Sequence, residues 1–215
     1  MEFQRARRPE QVEQRRRAIL GAARDLLLER SLADISLREL SCRVGLAKSN
    51  VLRYFDSREA VFLEVLDAEW SSWLDALGTT LPTDRDEVAV ATAIASSLAG
   101  RRMLGALLGG AGALERNITV DTARWFKGRA GAHSTRLADL VRARLPVLDE
   151  AGARHFADAV VVIAAGLWPR AEPTEAVAVV LRESGSAEPA EAFAAGLTEA
   201  LVNQLVGLVA RSAKG

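Results

Sequence analysis

Ser36-Leu-Arg-Glu-Leu-Ser-Cys-Arg-Val-Gly-Leu-Ala-Lys-Ser-Asn-Val-Leu-Arg-Tyr-Phe55 decides the fold, because it spells two short helices around a forced turn. Ser36 followed by Glu39 is a capping box, so a helix starts there. Leu37, Leu40 and Val44 fall at i, i+3, i+7 and give it one apolar stripe. Gly45 supplies the left-handed backbone that ends a helix sharply. Val51 and Phe55, four apart, give the next helix an apolar back, while Lys48, Ser49 and Asn50 keep its front polar. A short helix with a basic front and a docked back is what reading the major groove requires. The spacing implies a helix-turn-helix and DNA binding.

Working outward, residues 1–10 read as a basic arm, and Val12, Ile19, Leu20, Ala23, Leu26 and Leu27 predict a helix from about 10 to 30. Asp56 or Ser57 caps a fourth helix carrying Ala60, Val61, Leu63, Leu66, Trp70, Trp73 and Leu74 toward Leu77, ended by Gly78 and Pro82. Beyond Pro82 every segment has the helical period, with helices expected at 84–99, 101–115, 119–145, 149–169, 173–183 and 188–212. The fold class is all-α, a three-helix N-terminal helix-turn-helix module joined by a linking helix to a C-terminal helical domain. The domains expected are 1–56 for DNA binding and 57–215 for ligand binding and dimerisation.

Zero net charge hides an uneven distribution. Residues 1–60 hold 13 Lys/Arg against 9 Asp/Glu, and the other 155 hold 15 against 19, so a basic quarter sits on an acidic body. That suits a polyanion at one end only. The single Cys42 excludes an intramolecular disulfide framework and fits a reducing compartment. Residues 1–17 are charged and lack the apolar core of a signal peptide. The longest nearly uncharged apolar run, Ala159–Trp168, is about half of the ~20 residues a membrane helix needs. A soluble, cytoplasmic protein without membrane association is expected.

Ile19 through Leu27, Ile35-Ser36-Leu37-Arg38-Glu39-Leu40, Val44-Gly45-Leu46-Ala47-Lys48, Leu52-Arg53-Tyr54-Phe55 and Ser57-Arg58-Glu59-Ala60 together resemble the tetracycline-repressor (TetR) family of bacterial transcription regulators. The resemblance covers residues 11–60, about a quarter of the chain. It implies a homodimeric DNA-binding regulator, usually a repressor, with an inducer pocket in the C-terminal body. Two positions depart from the family's pattern. Leu52 stands where such proteins commonly have a phosphate-touching Tyr, and Ala47 where a Ser or Thr often caps the recognition helix.

Base contacts are expected from Lys48, which can donate to guanine O6/N7, and Asn50, which can pair with adenine. Ser49 is small enough to let the helix approach, and Arg38 resembles a family position that reaches a base edge. Phosphate contacts are expected from Ser36 at a helix start, from the Tyr54 hydroxyl and from Arg58 at the positive end of the fourth helix. Arg5, Arg7 and Arg8, or the run Arg15–Arg17, offer further charge to the backbone or minor groove.

One short helix reads too few base pairs alone, so a dimer on a palindromic operator is expected. Phe156, Val160, Ile163 and Leu167 stripe one candidate interface helix. Phe193, Leu197, Leu201, Leu205 and Leu208 stripe the other. The resemblance implies a four-helix bundle of two such helices per subunit. Val161, Val162, Val202, Val206 and Val209 make both helices apolar on more than one face, so the stripes can also serve the monomer core. Met103, Leu104, Leu107, Leu108, Trp125, Phe126, His133 and Trp168 are the expected walls of a pocket for a small apolar or aromatic ligand.

Catalysis finds no support. The chain has two His (His133 and His155) and one Cys. It has no nucleophile elbow, no phosphate loop, no zinc-protease motif and no cofactor or metal signature. Gly109-Gly110-Ala111-Gly112 lacks a following Lys-Ser/Thr and reads as a tight helix contact. The alternative within DNA binding is a helix-turn-helix regulator or architectural protein without a small-molecule effector.

Overall fold

The computed structural model describes residues 9–83 and 86–212, which form ten α-helices and no strand. Arg5, Arg7 and Arg8 lie outside the described residues. The chain packs as two compact units, one of residues up to 66 with 110–126, the other of 67–109 with 127 onward. Packing therefore divides the chain at other places than a cut at 56/57. The fourth helix gives its first nine residues to the first unit, and a later segment returns to join it.

In the first unit, α1 (Pro9–Glu29), α2 (Leu37–Arg43), α3 (Lys48–Val51) and the start of α4 (Arg58–Thr80) bury Ile19, Ala23, Leu26, Leu40, Val51, Phe55, Val61 and Phe62. Leu37 and Val44, expected in the same stripe, are only half-buried, at the two ends of the two-turn α2. The N-terminus of α2 is the expected capping box. Ser36 Oγ accepts from Glu39 N at 3.2 Å, and Ser36 N donates to Glu39 Oε2 at 2.9 Å. At the other end Gly45 adopts φ +64°, with Leu46 N bonded to Ser41 O at 2.9 Å and Gly45 N to Cys42 O at 3.1 Å. This paired closure is the Schellman turn that the glycine foretold.

Those bonds from the Ser36 backbone and hydroxyl, with Arg30 adding attraction, hold the Glu39 carboxyl below the usual carboxylate range. A depressed folded pKa contributes stability that is complete above the unfolded value, about 4.3, and is lost as pH falls through the folded one. Ser36→Ala is expected to cost about 1 kcal/mol in chemical denaturation at neutral pH. The deficit should shrink in acid as Glu39 is protonated in both proteins.

In the second unit, α5 (Glu87–Ala99), α8 (Glu150–Ala171) and α10 (Pro189–Ser212) pack together, with α10 against both others. Asp86 caps α5 through Val88 N at 2.8 Å, and Asp149 caps α8 through Gly152 N at 2.6 Å. The end of α4 joins them through Trp73, whose indole donates to Ser97 Oγ at 3.0 Å. The second part of α7 (Val120–Arg144) is tied to α4 by polar contacts. Asp67 accepts from Arg129 at 2.8 Å and faces His133 Nε2 at 2.6 Å, and the His133 ring stacks on Trp70 at 5.2 Å. Helices α6 (Arg102–Leu114) and α9 (Glu175–Glu183) complete the set.

The expected dimer stripes lie largely inside the monomer core, the role that their apolar flanks also allowed. Phe156, Val160, Leu197, Leu201 and Leu205 are fully buried within the monomer, with Phe193 and Leu208 nearly so, and only Ile163 and Leu167 are half-exposed. The buried seven form the seam between α8, α10 and α5, while Ile163 and Leu167 keep part of their surface open. The faces left open carry Val162, 70% exposed on α8, and the half-buried Val202, Val206 and Val209 on α10. By length and composition alone both helices would cross a membrane, which the short uncharged run did not indicate. In the fold their apolar stripes meet each other.

Candidate nucleic-acid interface

The polar front of the helix-turn-helix rests on a frame of charged clamps. Glu29 at the end of α1 takes a two-pronged grip from Arg43 on α2, with N–O distances of 2.8 and 2.6 Å, and Arg30 pairs with Glu39. The Arg43 guanidinium pulls the Glu29 carboxyl below its ordinary range. A fork-to-fork pair of this kind fixes orientation as well as distance, and here it sets α2 on α1.

Arg38, Lys48 and Ser49 are exposed, and Asn50 is half-buried beside them. Among the described residues none of the four side chains is held by a hydrogen bond or ion pair, so their donors and acceptors face outward unspent. Helix α3 is a single turn begun by Ala47, whose side chain makes no cap bond. Its wrap continues through Tyr54 N and Phe55 N, which both bond to Val51 O, at 2.9 and 3.2 Å. Val51 and Phe55 are buried behind it, and Leu52 is 44% exposed.

Two of the expected phosphate residues have other work. Both donors of Ser36 go to Glu39, the hydroxyl at 3.0 Å and the backbone N–H at 2.9 Å, which leaves neither for a phosphate oxygen. Arg58 is more heavily engaged. Its guanidinium donates to the carbonyls of Leu32 and Ile35, pairs with Glu59 at 3.1 Å and covers the Phe62 ring at 5.0 Å. It clamps the 3-10 turn Leu32–Asp34 that leads into α2. Arg58→Ala is therefore expected to cost about 2–3 kcal/mol of folding stability, since two carbonyls lose charged donors. The salt slope of DNA binding should stay within error of the parent protein's, whereas loss of a phosphate contact would lower it by about one.

Tyr54 is half-buried, and its carbonyl accepts from Arg16. Arg16 also pairs with Glu64 and lies 4.3 Å over the Phe55 ring, so it pins the recognition turn from behind. Its neighbours differ: Arg15 is exposed, and Arg17 pairs with Glu13 at 2.8 Å. The sequence did carry a signal for Arg16, which stands at helical spacing ahead of buried Ile19, Ala23 and Leu26. Arg53, exposed next to Tyr54, is a cation that the sequence reading left aside.

Two family models match the chain. One, described as bacterial regulatory proteins of the tetR family, covers residues 19–65, the segment that builds this interface. The other, a tetracyclin repressor-like C-terminal domain, covers residues 67–212, more than half of the chain. The chain belongs to the TetR family. The match over residues 19–65 falls on the segment that carries the helix-turn-helix.

Among curated relatives, the HTH-type transcriptional regulator EthR of two Mycobacterium tuberculosis strains and of Mycobacterium bovis is 46% identical over 50 residues. That match spans 23% of this chain and 23% of each relative, so it concerns a segment and not the whole protein. A tetR-family transcriptional regulator from Streptomyces coelicolor shares the fold with a TM-score of 0.56 at 14% identity, over 94% of this chain and 89% of that one. The TetR family repressor AlkX from Dietzia sp. strain DQ12-45-1b, implicated in biodegradation of n-alkanes, gives 0.51 at 15% identity, over 90% of this chain and 96% of its own.

The residues expected to line an effector pocket divide between the two units. Trp125 and Phe126 belong to the first unit. In the second, Leu104, Leu107 and Leu108 are buried on α6, with Met103 half-buried. Trp168 presses its ring onto Gly105 and Gly109, so the indole fills the space between α6 and α8 there. His133 is engaged by Asp67 and Trp70.

Proposed function

We propose that this TetR-family regulator is a cytoplasmic repressor that binds a palindromic operator as a homodimer and is released by a small apolar or aromatic ligand. The observation that carries the reading is the unspent polar front of Arg38, Lys48, Ser49 and Asn50 on a back that is fully docked. Lys48 and Asn50 read base edges, Arg38 and Ser49 assist, and Tyr54 meets a phosphate. Arg53 is a further phosphate candidate.

The dimer uses the outward faces of α8 and α10, through Val162, Val202, Val206 and Val209, since the inner stripes are consumed by the monomer core. Val162→Glu is expected to shift the protein to monomer in sedimentation and to weaken operator binding, because a half-site reader alone loses its second contact. A dimer that survives the substitution would move the interface elsewhere.

The effector reading draws on the family and on the apolar α6–α8 region. A ligand acts only by its differential affinity for the DNA-competent and DNA-incompetent states. Selection of binding sites from random DNA, followed by titration of the selected duplex, tests the whole proposal. A symmetric site with half-sites about 34 Å apart supports it, and binding without sequence preference sinks it.

A further inference from the structure

The first unit contains a cavity of about 340 Å³, lined by Tyr54, Trp125, Asp56, Glu64, Asp121 and Arg16 among others and by none of the four base-reading side chains. That volume lies at the small end of the ~300–1,000 Å³ range of ligand pockets. We propose that it binds a small organic cation of the quaternary ammonium type.

Charge is the first argument. The lining holds three carboxylates and one guanidinium, a surplus of two negative charges. The one cation is already committed, because Arg16 pairs with Glu64, donates to the Tyr54 carbonyl and covers the Phe55 ring. Asp56 is the opposite case. Its partners are hydroxyls, Thr119 at 2.8 Å and Thr122 at 2.9 Å, which stabilise the carboxylate and hold it below its ordinary range without neutralising it. Asp121 pairs with the exposed Arg124 at 2.6 Å.

Aromatic surface is the second. Trp125 is 39% exposed, uncommon for an indole that has a core within reach, and Tyr54 is half-buried on the same lining. Aromatic faces beside carboxylates recognise alkylammonium groups by cation–π and Coulomb attraction together. Other occupants fit less well. Phosphates and carboxylates are repelled by the surplus charge, and among the described residues no three acidic, His or Cys side chains converge as a metal ion demands.

The probe is choline, compared with its neutral isostere 3,3-dimethylbutan-1-ol, by isothermal titration of the full-length protein without DNA. Choline is expected to bind saturably at one site per chain, and the alcohol at least about tenfold more weakly. Asp56→Asn keeps an acceptor for a threonine while removing the charge, and should weaken choline about tenfold. Trp125→Ala removes an indole that is 39% exposed, and should weaken choline about fivefold while the protein's melting transition confirms that it stays folded. Equal binding of the two probes, retention of choline affinity in both variants, or a choline Kd above about 10 mM would overturn the proposal. None of these outcomes bears on operator binding, which is read separately.

Discussion

Lys48→Ala combined with Asn50→Ala is expected to lower operator affinity by at least about a thousandfold while leaving the melting temperature within a degree or two. Each side chain that pairs with a base edge is worth about 1–3 kcal/mol, and in a symmetric dimer each loss is felt in both half-sites. Even the low end sums to about 4 kcal/mol, or three decades. Stability should be spared because Lys48 is exposed, Asn50 is half-buried, and neither side chain is bonded to another described residue. The single variants separate the roles. Asn50→Ala should relax preference at one adenine-containing step with no change in salt slope. Lys48→Ala should relax preference at a guanine, whereas a Lys48 that touched only phosphate would reduce the slope by about one and leave preference intact. Anisotropy titrations at several salt concentrations, on operator and scrambled duplexes, distinguish these results. Full retention of operator affinity in the double variant would remove α3 from base reading.

The features legible in the sequence are those fixed within four or five residues. The capping box at Ser36 and Glu39 needs one turn of helix, and Gly45 needs only its own φ. Helix ends along the chain followed from similar punctuation, as at Gly185, which closes α9 with φ +66°. What stayed hidden depends on distant partners. Arg58 at the start of α4 looked free for a phosphate, yet its bonds run to carbonyls 23 and 26 residues earlier, which no local pattern announces. Helices α8 and α10 are apolar on two faces, and periodicity cannot say which face meets the monomer and which a partner. Burial of Phe156 and Leu201 answers for the inner face. Trp168 was readable as apolar, but its place against Gly105 joins residues more than sixty positions apart.

The second large effect lies at that contact. Trp168→Ala is expected to cost about 3–5 kcal/mol, the range for removing a buried aromatic that its surroundings cannot collapse around. Trp168 is 7% exposed and meets Phe193 edge-on, with ring centroids 5.3 Å apart. Gly105→Ala attacks the same contact from α6. A Cβ there would stand 2.9 Å from Cδ2 of the indole and closer still to Cε3 and Cζ3, and a ring has no flexible end to swing aside. Overpacking of this kind costs about 1–3 kcal/mol. The two losses should not add. With the indole gone the new methyl enters vacated space, so Gly105→Ala should be neutral or stabilising in the Trp168→Ala background, a coupling that urea unfolding of the four proteins measures directly. If Gly105→Ala cost the same in both backgrounds, the indole would not be the obstacle.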